Sequence, residues 1–473
     1  MEQSAAEKPE EKHHFLGFHL PDFSVLKDNR VQTLIFAINV QKLGIATLSY
    51  GGMIYLASTG ASQLQVSLVG VTGFIAELLF GLQGGRLTDA MSKRTAMIIG
   101  YLAQAALCFI VPIFFGTDVV DLVFLAFMAS ILATVMAPAI KSTVALVSTP
   151  AALATVAAMI GLFGSFGTAI GQAFVAPILI KTSGIDAVMY GAGILLASGV
   201  IWALRMPRDQ GQAATLDAIK QIEWKSEALD LRKVGRWIMS VPGVSTIILT
   251  GAIVSALGES FSSMIPVYVR EVLDADPTYS VYIFAPAGIG FLIGMLTAPW
   301  LIEKYGARKV GFASFVITAV GIMLYGFIDV VAPVLGPISP TRLFELFGVD
   351  LSNAMLAAGF LALPANFGST SVSTCVQTYI NRRVPVQNQG GVFGMQRVVY
   401  NAVTIVAMLV LGLIATLLGS QIVFILAPIV VVSIVAWLLR YSYRLVGKGA
   451  PGSHALIDDF WNGPGKRSDD SKG

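Results

Sequence analysis

The sequence predicts an all-α integral membrane protein with twelve transmembrane helices in two pseudo-symmetric six-helix bundles. Three observations support this prediction. Of the 473 residues, 55% are hydrophobic and 12% are charged, whereas about a quarter of a soluble domain is charged. Long charge-free blocks occur, for example at 43–76, 277–302 and 398–439, and one spanning helix needs about 20 apolar residues. Basic residues cluster in alternate connections between these blocks.

The first half of the chain contains six predicted helices. Because the apolar blocks are continuous, helices are favoured over the strands of a β-barrel, in which apolar and polar residues alternate over about ten positions. No other backbone structure satisfies its hydrogen bonds inside hydrocarbon. Charged residues, Gly and Pro mark the ends of the predicted helices, which lie at 31–57, 63–85, 95–115, 122–144, 152–180 and 187–204.

The second half repeats this organisation after a polar segment at 205–236. The segment mixes both signs of charge, and its apolar residues recur at roughly helical spacing. We therefore expect an amphipathic helix on the cytoplasmic face of the membrane, with a flexible solvated linker as the alternative. The six helices that follow are predicted at 241–269, 280–302, 309–331, 351–380, 390–418 and 421–441, with a loop at 332–350.

Basic residues set the predicted orientation. With a cytoplasmic N-terminus, 25 of the 31 Lys and Arg residues fall in cytoplasmic segments, and only Lys181, Arg270 and Arg342 face outward. This distribution obeys the positive-inside rule and favours an even number of crossings. No cleavable signal peptide precedes helix 1. The predicted organisation is a cytoplasmic segment 1–29, a bundle 30–204, the linker 205–236, a bundle 237–445 and a disordered cytoplasmic tail 446–473.

A charged motif lies between helices 2 and 3, and a similar motif lies between helices 8 and 9. The acids of the two copies, Asp89 and Glu303, are 214 positions apart, close to the offset between helices 1 and 7. The pattern of a Gly, an acid four positions later and then basic residues resembles the loop signature of the major facilitator superfamily. That resemblance implies a duplicated six-helix unit and a central substrate cavity.

The resemblance also implies that the motif residues act in gating. The Gly permits a tight turn and close helix approach, and the acid pairs with a basic residue or faces a helix N-terminus. Basic residues that only fix the topology are the alternative. Both copies depart from the signature, at Ala90, Ser92 and Pro299. The predicted gating residues are Gly85, Asp89, Lys93, Arg94, Glu303, Lys304, Gly306, Arg308 and Arg397.

Two further segments are similar to a particular branch of this superfamily. Residues 138–141 and 384–392 resemble segments of siderophore, macrolide and lysophospholipid transporters. The glycines of helix 5 are similar to those of drug antiporters, although small residues at such spacing more often indicate close helix packing. These glycines are Gly161, Gly164, Gly167 and Gly171.

Charged residues inside predicted helices are expensive in a membrane and point to function. Lys42 and Glu77 lie at similar depth in one helical hairpin, where they either line the cavity or form a structural ion pair. Glu259 in helix 7 is a second candidate proton carrier, because a carboxylic acid in apolar surroundings can stay neutral for part of a cycle. Capping of the outer helix end is its alternative. Lys141 and Arg397 lie near cytoplasmic helix ends, where long side chains snorkel.

Uncharged polar residues in mid-helix either line the cavity or form hydrogen bonds between helices. The candidates for substrate or proton binding are Asn39, Gln41, Gln172, Asn366 and Gln377. The sequence contains no phosphate-binding loop, no metal-ligand spacing and no nucleic-acid motif, so we expect no cofactor, no metal and no enzymatic activity.

These observations lead to a functional hypothesis. The chain is expected to be a monomeric secondary transporter of the plasma (inner) membrane, with both termini cytoplasmic. It would use protons to export an amphipathic small molecule or lipid-like compound. The alternatives are a proton-coupled nutrient importer and a non-transporting membrane sensor or scaffold with a degenerate transporter fold.

Overall fold

A computed structural model describes residues 14–15, 18–19, 23–89, 91–149, 152–207, 235–236, 238, 242–384 and 386–446. Helices dominate these residues; the exceptions are turns and two short antiparallel strands, β1 (His14–Phe15) and β2 (Phe18–His19). The predicted amphipathic helix within 205–236 and the predicted tail beyond 446 lie outside the described residues.

Six helices form the first half of the protein. Asp28 caps the first of them by accepting a hydrogen bond from the backbone N–H of Arg30 at 2.8 Å, and Ser92 caps the third through the N–H of Thr95 at 3.2 Å; such caps satisfy N–H groups that have no partner within the helix. The helices are α1 (Asn29–Ser58), α2 (Gln63–Asp89), α3 (Lys93–Phe114), α4 (Val119–Val147), α5 (Leu153–Ile170) and α6 (Ala176–Arg205).

A π-helical turn, Gly171–Val175, joins α5 to α6, so that the two run on without a loop. The described residues therefore contain eleven candidate membrane spans, one of which is 51 residues long. A straight helix of that length would measure about 77 Å, far more than the ~30 Å hydrocarbon layer. Gly184 breaks this stretch with φ 79° and ψ −169°, a conformation available essentially only to Gly. The stretch thus makes two crossings, which gives twelve in all.

The second half contains α7 (Pro242–Glu271), α8 (Val281–Tyr305), α9 (Ala307–Gly326), α10 (Asn353–Arg383), α11 (Val386–Leu418) and α12 (Ser420–Val446). The predicted loop at 332–350 is wrong in part, because a short helix (Ile328–Ile338) and a 3-10 helix (Pro340–Phe347) occupy much of it. In the short helix, every fourth residue from Ile328 is buried, so one apolar face packs on the protein.

The same pairs of helices pack in both halves. In the first half, α1 packs on α5 and α6, α2 packs on α4, and α3 packs on α4 and α6. In the second half, α7 packs on α11 and α12, α8 packs on α10, and α9 packs on α10 and α12. A displacement by six helices therefore relates the two sets of contacts. This confirms the predicted architecture of two repeated six-helix bundles.

The two bundles meet along two seams. Helix α2 packs against α11 on one side, and α5 with its π turn packs against α8 on the other, while α1 and α2 both contact α7. Large apolar side chains are exposed on the outer helix surfaces, among them Ile113, Val120, Phe312, Leu417 and Trp437. A continuous apolar exterior is what a lipid environment requires.

Candidate functional site

A cavity of about 1140 Å³ lies between the two bundles. Residues of α2, α4, α5 and the π turn line it from the first half, and residues of all six helices of the second half line the rest. Its volume slightly exceeds the range of about 300–1,000 Å³ that is usual for small-molecule sites.

Contacts between the bundles close one end of this cavity, the end near the turn between α1 and α2. The hydroxyl of Tyr50 donates a hydrogen bond to the backbone oxygen of Ser262 at 2.9 Å. Farther out, the guanidinium of Arg270 on α7 donates to the backbone oxygens of Ala57 at 2.5 Å and Ala61 at 3.2 Å. These bonds hold α1 against α7, so we call this part of the molecule the closed end.

The cavity extends in the opposite direction, toward the side on which the chain enters α1 and leaves α12. Gly81 and Lys141 line it from the last turns of α2 and α4, Gln377 lines it from the last turns of α10, and Gly390 lines it from the first turn of α11. These helix ends all lie on the side opposite the closed end. We call this part the terminal end.

An ion pair crosses the cavity between the bundles. Arg397 on α11 donates from Nε to Glu77 Oε1 at 2.6 Å and from Nη2 to Glu77 Oε2 at 2.9 Å. The side chains of Arg397 and Glu77 are 60% and 29% exposed, and both line the cavity. Two parallel charge-assisted bonds make this a strong and geometrically specific contact.

The structure thus gives Glu77 a different partner from the one considered in the sequence. Within the described residues, Lys42 has no ion pair, and its neighbour in the hairpin, Glu77, binds Arg397 instead. The planar guanidinium fork matches both carboxylate oxygens, whereas a Lys ammonium is a single point charge.

Two lysines stand next to this ion pair. Lys42 is exposed and lies within electrostatic range of Glu77, Arg397 and Lys141, but it is not among the residues that line the cavity. Lys141 is exposed as well and lines the cavity, whereas the sequence suggested that it snorkels at a helix end. Neither lysine has a hydrogen bond or ion pair among the described residues.

The second acid of the cavity, Glu259, faces it from the middle of α7. Because α7 continues to Glu271, Glu259 does not cap the outer end of its helix. Its Oε1 accepts a hydrogen bond from the hydroxyl of Tyr400 at 3.2 Å, and Tyr400 lies one helical turn after Arg397 on α11. The two acids and their partners therefore form one group around α11.

The uncharged candidates separate into two sets. Gln172, Asn366 and Gln377 line the cavity. Asn39 and Gln41 are not among the lining residues: Asn39 donates to the backbone oxygen of Ile35 within its own helix at 3.0 Å, and Gln41 is only 5% exposed.

Sequence reasoning missed a wall of hydroxyl groups on α10. Ser369, Thr370 and Ser373 line the cavity between Asn366 and Gln377. Their spacing of three and four positions places all five polar residues on one helix face. Two of these hydroxyls donate within the helix: Thr370 to the backbone oxygen of Asn366 at 2.8 Å, and Ser373 to that of Ser369 at 3.2 Å. The polar stripe was a readable signal, although isolated hydroxyls in membrane helices rarely indicate a site.

The predicted gating residues of the first motif lie at the terminal end. Asp89 is the last residue of α2, and Lys93 and Arg94 begin α3. The residue before Gly85 makes a close approach to another helix. A Cβ atom on Gly84 would lie 2.9 Å from Cα of Val135 on α4, so Gly84 is where the two helices need a glycine.

The second motif forms the turn from α8 to α9. Gly306 has φ 85° and ends α8, which agrees with the tight turn expected of the motif glycine. Glu303 and Lys304 precede this turn and Arg308 follows it. The ammonium of Lys304 lies 5.3 Å from the ring centroid of Tyr305. The gating role of both motifs stays a prediction.

Several solved structures of transporters share this fold. The nucleoside transporter NupG has a TM-score of 0.64 at 14% identity, with 87% of this chain and 98% of that chain covered. The peptide transporter POT in complex with sulfate has a TM-score of 0.62 at 15% identity, with 92% and 96% covered. A bacterial homologue of the human lysosomal transporter Spinster, in an inward-facing and unoccupied conformation, has a TM-score of 0.64 at 13% identity, with 93% and 98% covered.

No curated protein sequence matches the chain significantly. A family profile does match, and its match covers residues 34–363, which is well over half of the chain. The match includes both charged motifs, eight complete spanning helices and most of α1. Together with the repeated helix pairing, this match shows that the chain belongs to the Major Facilitator Superfamily.

Proposed function

We propose that this secondary transporter couples proton movement to the export of an amphipathic small molecule or lipid-like compound by alternating access. The observation that carries the proposal is the Glu77–Arg397 ion pair, which joins the two bundles across the cavity. In such a transporter the bundles rock against each other around a central site. A bond between them that depends on charge links a proton to that movement.

Protonation of Glu77 supplies the coupling step. A neutral carboxylic acid attracts Arg397 much less than a carboxylate does, so a proton weakens the contact between α2 and α11. Glu259, held by Tyr400, is then the other acid within electrostatic range of Arg397, and it belongs to the same bundle as Arg397. Arg397 thereby changes its acidic partner from Glu77 of the first bundle to Glu259 of the second.

The arrangement of contacts corresponds to one state of the transport cycle. The bonds of Tyr50 and Arg270 close one end, and the cavity extends to the terminal end. With cytoplasmic termini, as the basic residues predict, this state is inward-facing. The similar Spinster homologue was also solved in an inward-facing conformation.

The direction of transport rests on sequence resemblance. Residues 138–141 and 384–392 are similar to segments of exporters in this superfamily, and Lys141 from the first segment lines the cavity. Accumulation of an amphipathic dye in cells tests this point. Expression of the protein is expected to lower accumulation, and a protonophore is expected to abolish the effect. Raised accumulation in energised cells would instead indicate uptake.

Proton coupling is tested with the Glu77→Gln variant in proteoliposomes. We expect flux driven by a pH gradient to fall at least tenfold, because the amide cannot exchange a proton, while exchange without a gradient persists. The matched control is Asp186→Asn, which neutralises an exposed carboxylate outside the cavity lining and is expected to leave flux unchanged. Normal gradient-driven flux in Glu77→Gln would remove Glu77 from the mechanism.

A further inference from the structure

We propose that the transported molecule carries an acidic group, a carboxylate or phosphate, which Lys42 and Lys141 bind while its apolar part occupies the closed end of the cavity. This inference names the substrate class of the same site. Transport of the molecule rests on the proposed function, whereas binding of the molecule does not.

Among the described residues that line the cavity, Lys141 and Arg397 are cationic and Glu77 and Glu259 are acidic. Lys42 of α1 is not one of the lining residues, but it lies within electrostatic range of Arg397, Glu77 and Lys141. Arg397 donates from Nε and Nη2 to Glu77, so its charge already has a partner. The ammonium groups of Lys42 and Lys141 therefore remain without an ion pair among the described residues, and they are free to bind an anionic group of a ligand in the cavity.

The position of these lysines argues against a purely structural role. Ammonium groups within a membrane span are expensive and usually pair with an acid or a backbone oxygen. Lys42 lies in the first half of α1, beside Gly164 of α5, whose added Cβ would sit 3.8 Å from the Lys42 Cγ. Both lysines are exposed by the accessible area of the whole residue. An anion delivered by the substrate is the partner that completes this arrangement.

The rest of the cavity is graded from charged to apolar. Helix α8 starts at the closed end, and Phe284 lies in its first turn, where its ring packs edge-on against Tyr50 with centroids 4.9 Å apart. Phe424 lies near the start of α12, and Ile265 lies two turns before the outer end of α7. All three line the cavity. Charged residues thus occupy its middle and terminal end, and aromatic and aliphatic residues occupy its closed end.

A molecule that matches this gradient has an acidic head and an apolar body. A small hydrophilic anion leaves the aromatic end of the cavity unfilled, and a cationic amphipath places its charge beside Lys42 and Lys141. A neutral amphipath gains only the apolar contacts. The structure therefore favours anionic amphipaths over these three classes.

Binding to the purified full-length protein in lipid nanodiscs tests the proposal without requiring transport. The probes are octyl phosphate, octanoate, octyl glucoside and octyltrimethylammonium, together with inorganic phosphate, and intrinsic tryptophan fluorescence reports binding. We expect octyl phosphate and octanoate to bind at least tenfold more tightly than the neutral and cationic octyl compounds. Inorganic phosphate is expected to bind far more weakly, which separates an amphipath site from a simple phosphate site.

Variants locate the acidic group. Lys42→Gln and Lys141→Gln are each expected to weaken octyl phosphate binding about tenfold, since a hydrogen bond to a charged group contributes roughly that much, and to leave octyl glucoside binding unchanged. Lys→Arg at either position retains the charge and is expected to retain most of the affinity. The control Lys181→Gln removes an exposed lysine that lies over the Tyr279 ring, outside the cavity lining, and is expected to change nothing.

The outcomes distinguish this inference from the proposed function. Lysine-dependent binding of anionic amphipaths without gradient-driven flux supports the inference and contradicts proton-coupled transport. Gradient-driven flux of neutral or cationic compounds that is insensitive to both lysine variants overturns the inference and leaves transport standing. Equal affinity for all octyl probes also overturns it, as does tight binding of inorganic phosphate alone.

Discussion

Arg397 is the residue at which the two bundles meet inside the cavity, and its shape matters as much as its charge. Its Nε and Nη2 atoms reach both oxygens of Glu77 at 2.6 and 2.9 Å. A Lys at this position keeps the charge but cannot form two parallel bonds. We therefore predict that Arg397→Lys lowers gradient-driven flux about tenfold, measured in proteoliposomes with a reporter of internal pH.

The paired exchange Glu77→Arg with Arg397→Glu is the control for this prediction. It restores a bidentate pair between α2 and α11 with the charges reversed, so we expect normal folding and intact contact between the bundles. Proton-coupled flux should recover more in the exchanged pair than in either single variant. Full activity of Arg397→Lys would show that a point charge suffices and that the fork has no role.

The sequence indicated two acids that the structure places in the cavity lining, but not their partners. Glu77 and Glu259 were readable because each interrupts an apolar helix. Arg397 is 320 positions from Glu77, and periodicity relates only residues on one helix or in one hairpin. The nearer Lys42 was therefore considered as the partner of Glu77. Lys141 was interpreted as a snorkelling residue for the same reason, because only the packed bundle shows that its end of α4 faces the cavity.

At the scale of elements, glycines control how closely α5 approaches α1. A Cβ on Gly171 would lie 2.8 Å from the backbone oxygen of Leu43 and 2.9 Å from Cβ of Ala46, whereas a Cβ on Gly161 would meet nothing within 4 Å. We predict that Gly171→Ala forces α1 away and destabilises the protein by about 1–3 kcal/mol, as overpacking does.

Thermal unfolding of the purified variants in detergent measures this effect. Gly161→Ala is the matched control, because it makes the same chemical change in α5, which continues into the turn that contains Gly171, without a steric clash. Its melting temperature should equal or slightly exceed that of the natural protein, since Ala favours helices over Gly. Equal melting temperatures for both variants would contradict close packing at Gly171.

Helix positions were largely predictable and their interruptions were not. Long apolar blocks fixed the twelve crossings, because each had to satisfy its backbone inside hydrocarbon. The sequence placed helices 5 and 6 apart, but only the structure shows a π turn inside this stretch and a single residue, Gly184, that reverses the chain. The short helix Ile328–Ile338 escaped prediction because its prolines and its length of 11 residues resemble a loop.

For the whole molecule, the sequence predicted the duplication, and the structure confirms it through the repeated helix pairing. The spacing of Asp89 and Glu303 carried that information because both copies retain the motif. Which end of the cavity is closed was not readable, because one sequence has to support both states of an alternating-access cycle. The closed end depends on contacts between helices of different bundles, and these contacts belong to one state only.

Arg270 makes several of the contacts that close the cavity. Its guanidinium donates to the backbone oxygens of Ala57, in the last turn of α1, and of Ala61, in the turn that follows α1. Bonds from a charged donor contribute about 1.5–3 kcal/mol each. Removing them in Arg270→Gln is therefore expected to shift the population at least tenfold toward the state in which this end is open.

Distances between spin labels on the two bundles report this shift. Ser58 at the end of α1 and Leu418 at the end of α11 are both exposed at the closed end, and labels on cysteines there should separate when it opens. Cys108 and Cys375 are buried and are replaced by alanine in every sample. Arg342→Gln removes an exposed arginine outside the seam and should leave the distances unchanged. If Arg270→Gln gives the same distances as the natural protein, the bonds of Arg270 do not determine which end is closed, and the closure has to reside in the packing of α1 and α2 against α7.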